Sequence, residues 1–306
     1  MCMQAGPNPE VVALVALQLA RPKGLSLSQL TLDVLQAGRA VPVWEQNCEL
    51  ALFDVPNDPW ARATRLVTEW EQAGVEFVTI LDDAYPIRLL AVREAPSLLF
   101  YRGALLPDDQ GMSVVGSRDA SPRGITLAGA VARMLADSGL SVVSGLASGI
   151  DSAAHEAALE TGGRTVALIG TGIDKCYPKV NQALQRRIAE TGLVASQFWP
   201  GSPPTQRSFP MRNAVMSGYG MATIVVEAGE YSGTRVQARN AVEHGRPVVL
   251  FDAVVNGTEW GKALSEMPGV FVVSGMGDLE AAVERIQNQD THAVNLVKKA
   301  MASSPK

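Results

Sequence analysis

Four short apolar runs in the middle of the chain each end in a loop rich in glycine or serine, and this repeated junction restricts the fold more than any other feature. Met112–Val115 stops at Gly116-Ser117-Arg118, and Leu140–Val143 stops at SGLASG, 144–149. Thr165–Ile169 stops at GTG, 170–172, and Ala222–Val226 at EAGEYSGT, 227–234. Helical apolar spacing follows over 125–138, 150–158 and 235–244. Strand, glycine loop, helix, repeated in this way, predicts an α/β fold with a mostly parallel sheet whose loops gather at the carboxyl edge. Glycine lets backbone amides turn toward an anion, and a helix N-terminus adds partial positive charge. One such loop needs glycine for packing alone, but four point to a ligand that carries phosphate. None of them matches GxGxxG or GxxxxGK[ST], so ordinary nicotinamide and P-loop chemistry is disfavoured.

Upstream, Pro9 opens a short apolar helix to Ala20, and Ser26 or Ser28 caps a second that Gly38 ends. A third helix spans Asp58 to Gly74, so residues 1–74 read as a small helical domain. Residues 75–287 form the sheet-containing domain, with strands near 75–80, 98–101, 193–195, 247–251 and 270–273 and a last helix over 279–286. The segment 288–306 reads as a polar tail. The connection 200–210 is rich in proline and too long for a plain link, with only a helical turn expected near 214–218.

The chain of 306 residues carries a net charge of −5, but the charge is uneven. Between Gly111 and Leu250 there are 13 Lys/Arg against 10 Asp/Glu, and elsewhere 13 against 21. A local basic groove inside an acidic protein fits that asymmetry. No apolar stretch reaches the ~18 residues of a membrane span, and no basic signal-peptide start is present. Three scattered cysteines, Cys2, Cys48 and Cys176, match no metal spacing and fit a reducing cytoplasm. No metal, cofactor or membrane contact is expected.

Arg118, directly after a glycine at a strand end, reads as a phosphate clamp rather than a surface ion-pair member. Lys179, Arg207 and Arg212 are further cations. Phe209 lies among them and has two readings, a base-stacking ring or a loop anchor. Asp151 begins a helix and suits dipole complement and capping better than catalysis, and His155, one turn on, reads as a structural residue that orders the loop. Ser117, Ser144 and Ser232 have no base at a recognisable spacing, which disfavours a serine hydrolase.

VVGSR (114–118), SGLASGID (144–151), YPKVN (177–181), FPMRN (209–213) and VVEAGEYSGT (225–234) together resemble the signature stretches of the DprA/Smf (DNA processing protein A) family. The similarity runs from about Val75 to Phe251. It implies an extended Rossmann-like domain, single-stranded DNA as ligand, RecA recombinase as partner, a homodimer, and no catalysis. By motif, the DNA-binding positions are Gly116, Ser117, Arg118, Ser144, Gly145, Gly149, Lys179, Arg207, Phe209, Arg212, Asn213, Ser232, Gly233 and Thr234. The chain departs from the family pattern at Ala214, where a further arginine is usual, and at Gln197, where an acidic residue is usual.

The alternative is a nucleotide-binding sensor, or an enzyme like the lonely-guy-type nucleotide phosphoribohydrolases. Gln237 stands where such an enzyme has its catalytic Glu, and an amide cannot replace a carboxylate in acid–base work.

Overall fold

The computed structural model describes residues 6–22, 24–48 and 58–303. Cys2, the stretch 49–57 of the expected helical domain and residues 304–306 of the expected tail lie outside them.

The N-terminal helices start where local capping chemistry says they should. In α1 (Pro9–Ala20) the Asn8 side chain accepts from the Glu10 amide, and Pro9 fills the first turn. In α2 (Leu27–Ala37) Ser26 caps and Gly38, at φ +66°, terminates in the left-handed region. The sequence reading missed α3 (Ala40–Asn47), whose N-cap Arg39 makes no capping bond with its side chain and pairs instead with Glu10. Its cap comes from thirty residues away, because the Glu10 carboxylate accepts from the Ala40 and Val41 amides at 2.5 and 3.1 Å. Asp58 caps α4 (Pro59–Gln72) by accepting from Trp60 and Ala61. Trp70 of α4 meets Phe100 and Trp199 edge-on at 5.0 and 5.6 Å, so the helices share a core with one face of the sheet.

The sheet is built from β1 (Glu76–Thr79), β2 (Leu98–Gly103), β3 (Gly111–Gly116), β4 (Ser141–Ser144), β5 (Thr165–Leu168), β6 (Leu193–Ser196), β7 (Thr223–Glu227), β8 (Val248–Phe251) and β9 (Val270–Val273). Their order is β1-β2-β6-β5-β4-β3-β7-β8-β9. β1 and β2 pair antiparallel, as do β2 and β6, and the remaining pairs are parallel. The central strands are apolar on both sides, as a doubly covered parallel sheet requires. Along β7, Ile224 and Val226 enter one core, and Val225 enters the other.

The first core is shared with α5 (Pro122–Asp137) and α6 (Ile150–Glu160). The second is shared with α7 (Gln182–Thr191), α8 (Ser208–Tyr219) and α9 (Thr234–Glu243). Two short helices, α10 (Asp252–Gly257) and α11 (Glu259–Ser265), were not expected. Nor was the full α8, because Pro210 reads as a breaker. It falls in the first turn, where no backbone donor is required. The last helix, α12 (Met276–Ser303), continues through the segment read as a polar tail. Asp290 of α12 pairs with the buried Arg88, a partner about two hundred residues away in sequence.

From β3 the chain steps through β4, β5 and β6 in one direction, then returns to place β7 on the other flank of β3. The β3/β7 boundary is therefore a topological switch point, where a parallel sheet leaves a crevice at its carboxyl edge.

Candidate functional site

A cleft of about 670 Å³ opens at this switch point, walled by the GSR loop, the first turn of α8 and the 229–234 loop. A pocket of about 100 Å³ shares Arg118, Phe209 and Arg212 with it and reaches Tyr177 and Pro178. The N-cap residues of α6, α8 and α9 are Gly149, Arg207 and Gly233, and none of them caps through its own side chain. The Ile150, Ser208 and Thr234 amides bond instead to Ser117, Thr205 and Ser232 of the loops, so what these N-termini offer an anion is the partial positive charge of the helix dipole. α5 differs, since Ser121 caps it and the Glu227 carboxylate accepts from the Ser121 amide at 2.8 Å and from its hydroxyl. That contact draws a negative charge at the end of β7 away from the cleft.

The loops are held rigidly. Ser117 donates its amide to the Glu227 carbonyl at 2.7 Å and accepts from the Ile150 amide. Gly149, at φ +79°, lies so close to Ser117 that a Cβ would stand 2.3 Å from its carbonyl oxygen. Asp151 accepts from the Gly145 and Ala147 amides at 3.1 and 3.3 Å, which ties the loop to the start of α6. Asn181, the last residue of YPKVN, donates to the Leu146 carbonyl at 2.9 Å. Leu146 itself sits at φ +58°, an uncommon conformation for a side chain of that size.

The expected binding residues divide into two sets. Arg118 is exposed, and its guanidinium lies 5.0 Å from the Phe209 ring centroid. Phe209 is half-buried and packs over Gly170, with Tyr177 5.5 Å away on a tilted ring. Asn213, Ser232 and Gly233 line the cleft with Gly116 and Ser117. Lys179 and Arg207 are exposed but lie outside its lining.

Three others face inward and support the loops. Ser144 is buried and donates to the Val114 carbonyl at 2.7 Å. Thr234 donates to the Gly116 carbonyl at 3.1 Å. Arg212, expected as a surface grip, is only 5% exposed and forms part of the cleft floor. Its Nη1 donates to the carbonyls of Gly145 and Leu168, and its Nε donates to the Asn213 side chain at 3.0 Å. Gly145 makes room for this guanidinium, because a Cβ would stand 2.0 Å from that Nη1. Burial lowers the Arg212 pKa, the Asp151 charge opposes that shift, and Arg118 adds to it. The two guanidiniums repel one another, and an anion between them relieves the repulsion. Burial likewise raises the Asp151 carboxyl, against the pull of Arg212 and the loop amides.

Tyr177 and Tyr231, which sequence reasoning did not single out, line the two pockets. The available signal was an aromatic side chain beside each motif. No group of three or more His, Cys, Asp or Glu among the described residues could hold a metal.

Gln237 tests the hydrolase alternative. It is buried at 1% exposure, and in the orientation that satisfies its amide it donates to the Asn213 carbonyl at 2.7 Å and accepts from the Ser217 amide at 3.2 Å. This amide ties α9 to α8. Gln237→Glu places a buried carboxylate against the Asn213 carbonyl oxygen, and is expected to cost about 3 kcal/mol in urea unfolding. A change below about 1 kcal/mol would show that position 237 accepts an acid.

His155 is fully buried between α6 and the start of β5, with Nδ1 2.6 Å from the Thr165 hydroxyl. Burial, helped by the Arg212 charge, lowers its pKa from 6.5 to about 3. Below pH 6.5 the unfolded chain takes up a proton that the native state refuses until about pH 3. The stability present above the unfolded pKa is therefore lost as pH falls through that window, by up to about 1.4 kcal/mol per pH unit. Asp151, whose pKa is raised, acts with the opposite sign. Urea titrations at pH 7 and pH 5 are expected to show a shallower loss for His155→Gln than for the native chain, and equal losses would refute this role.

Fold and cleft together define a Rossmann-like protein with an open cleft at the sheet's switch point. Residues 76–267, more than half of the chain, match the model of the family described as DNA recombination-mediator protein A, and the chain belongs to that family. It is 46% identical over 171 residues to the DNA processing protein DprA of Streptococcus pneumoniae, covering 56% of this chain and 60% of that protein. It is 36% identical over 189 residues to Protein Smf of Synechocystis, covering 60% and 48%. The chain thus matches about half to three-fifths of the length of these relatives. The X-ray structure of the Streptococcus pneumoniae protein superposes with a TM-score of 0.69 at 34% identity, over 91% of this chain and 98% of that one. A Helicobacter pylori DNA processing protein A, described for its single-stranded DNA binding mode, shares the fold at a TM-score of 0.61 and 24% identity. No helix among the described residues is long and apolar enough to cross a membrane.

Proposed function

We propose that the cleft binds single-stranded DNA without reading its sequence, and that the chain acts as a homodimer, in the cytoplasm, to help load RecA recombinase, with no catalytic step of its own. One observation carries the reading. The positive dipole ends of three helices face the carboxyl edge beside Arg118, which is stacked on the half-exposed Phe209. Amide dipoles and a guanidinium suit phosphates, and an aromatic ring suits any base, so the chemistry favours a strand over a particular sequence. The Helicobacter pylori relative's single-stranded DNA binding agrees with this reading.

The test is anisotropy with labelled single-stranded and duplex oligonucleotides over a salt series. Preference for the single strand and a steep fall in affinity with salt are expected. Equal affinity for duplex at low salt overturns the proposal. Light scattering tests the dimer, and RecA assembly on coated single strands tests the partner. The cleft volume also accommodates a mononucleotide. A thermal shift with nucleotides, in the absence of strand binding, would favour that second reading.

A further inference from the structure

Tyr231 is 100% exposed, at the tip of the loop that follows β7, and it lines the same cleft as Phe209. A large ring held wholly in water is unusual unless something covers it. This ring is not on a loose loop. On one side, the Gly229 carbonyl accepts from the Trp260 indole at 3.2 Å, and the Glu230 carboxylate accepts from the Glu259 amide at 2.9 Å. On the other, the Ser232 hydroxyl accepts from the Thr234 amide at 3.2 Å, and the Thr234 hydroxyl holds the Gly116 carbonyl. The backbone that carries Tyr231 is therefore fixed to α11 and to the GSR loop, while the phenol has no protein partner among the described residues.

The same contacts shape the charge around the ring. Glu227 and Glu230 flank the loop, yet each directs its carboxylate to a helix N-terminus, that of α5 and that of α11. Glu227 thus lies outside the cleft lining, whereas Glu230 and Asp119 are part of it together with the Arg118 guanidinium.

We propose that Tyr231 is a second base-stacking platform, so that the cleft holds two bases of one strand, one against Phe209 from α8 and one against Tyr231 from the β7 loop. This rests on the single-stranded DNA reading. The two rings come from different elements, and Arg118 belongs to the cleft lining that they share. A phosphate there joins the two stacked nucleotides. Stacking on an aromatic tolerates every base, which keeps the site indifferent to sequence.

The experiment is anisotropy of a labelled oligothymidylate with the full chain, its Tyr231→Ala and Tyr231→Phe variants, and oligonucleotides carrying one abasic residue at successive positions. Tyr231→Ala is expected to weaken binding about tenfold, within the range of one stacked base. Tyr231→Phe is expected to bind as the native chain does, because the ring acts rather than the hydroxyl. An abasic residue at one position is expected to weaken the native chain but not Tyr231→Ala. Native binding with an unaffected Tyr231→Ala overturns this proposal alone, as does an abasic penalty that persists in the variant at every position. Failure of the native chain to bind any single strand overturns the function reading and this platform with it. Because the side chain is fully exposed, the substitution leaves the core intact.

Discussion

Arg212→Met is expected to lower the unfolding free energy by about 3–5 kcal/mol, the range for removing one partner from a buried charged network. Methionine matches the volume of the arginine stem but supplies no donor. The Gly145 and Leu168 carbonyls, at the ends of β4 and β5, then lose the guanidinium that joins them. Asp151 is left as a buried carboxylate without its nearby cation, and its pKa, already raised by burial, rises further. A carboxyl with a raised native pKa favours folding when protonated, so the penalty grows as pH rises through the native value. Arg212→Met is therefore expected to lose less at pH 5 than at pH 8. Adding Asp151→Asn to it is expected to recover part of the loss, and the double-mutant cycle reads the coupling. A loss below about 1 kcal/mol in denaturant titration would show that the buried guanidinium does not hold the strand ends.

Arg118→Ala is expected to act on binding and leave stability nearly unchanged, because the side chain is exposed. Charge-assisted hydrogen bonds to phosphate contribute about 1.5–3 kcal/mol, so a loss of tenfold to about a hundredfold in affinity for single-stranded oligonucleotides is expected at low salt. The loss should be the same for every sequence. Removing one phosphate contact should also flatten the plot of log affinity against log salt by about 0.7. Arg118→Lys separates the two contributions of the arginine. It keeps the charge and hence the salt slope, but loses the planar fork and the stack on Phe209. Lysine is therefore expected to bind between the native chain and the alanine variant. An unchanged affinity for Arg118→Ala would remove this residue from the site.

Arg118 and Arg212 illustrate what sequence reasoning could and could not see. Both are arginines beside a cleft motif, and local sequence does not distinguish them. One lies on a loop tip facing solvent; the other projects from α8 under the loop after β4, where two carbonyl oxygens meet it. Gly145 carries the trace of this in sequence, since its missing side chain makes room for the guanidinium. The acids of the EAGE stretch are a similar case. Nothing local shows that Glu227 and Glu230 bond to helix N-termini that begin near residues 121 and 259.

What the sequence determined by itself was local. Capping residues placed α1, α2 and α4, apolar runs marked the strands, and glycine-containing junctions located the loops of the carboxyl edge. Each depends on residues within a few positions of one another, where backbone geometry and hydrogen bonding act directly. The tertiary structure decided the rest: that Glu10 caps α3, that β7 returns beside β3 to open the cleft, and which side chains face into it. Those outcomes depend on contacts between segments thirty to more than a hundred residues apart, and such pairings leave no periodicity in the chain to read.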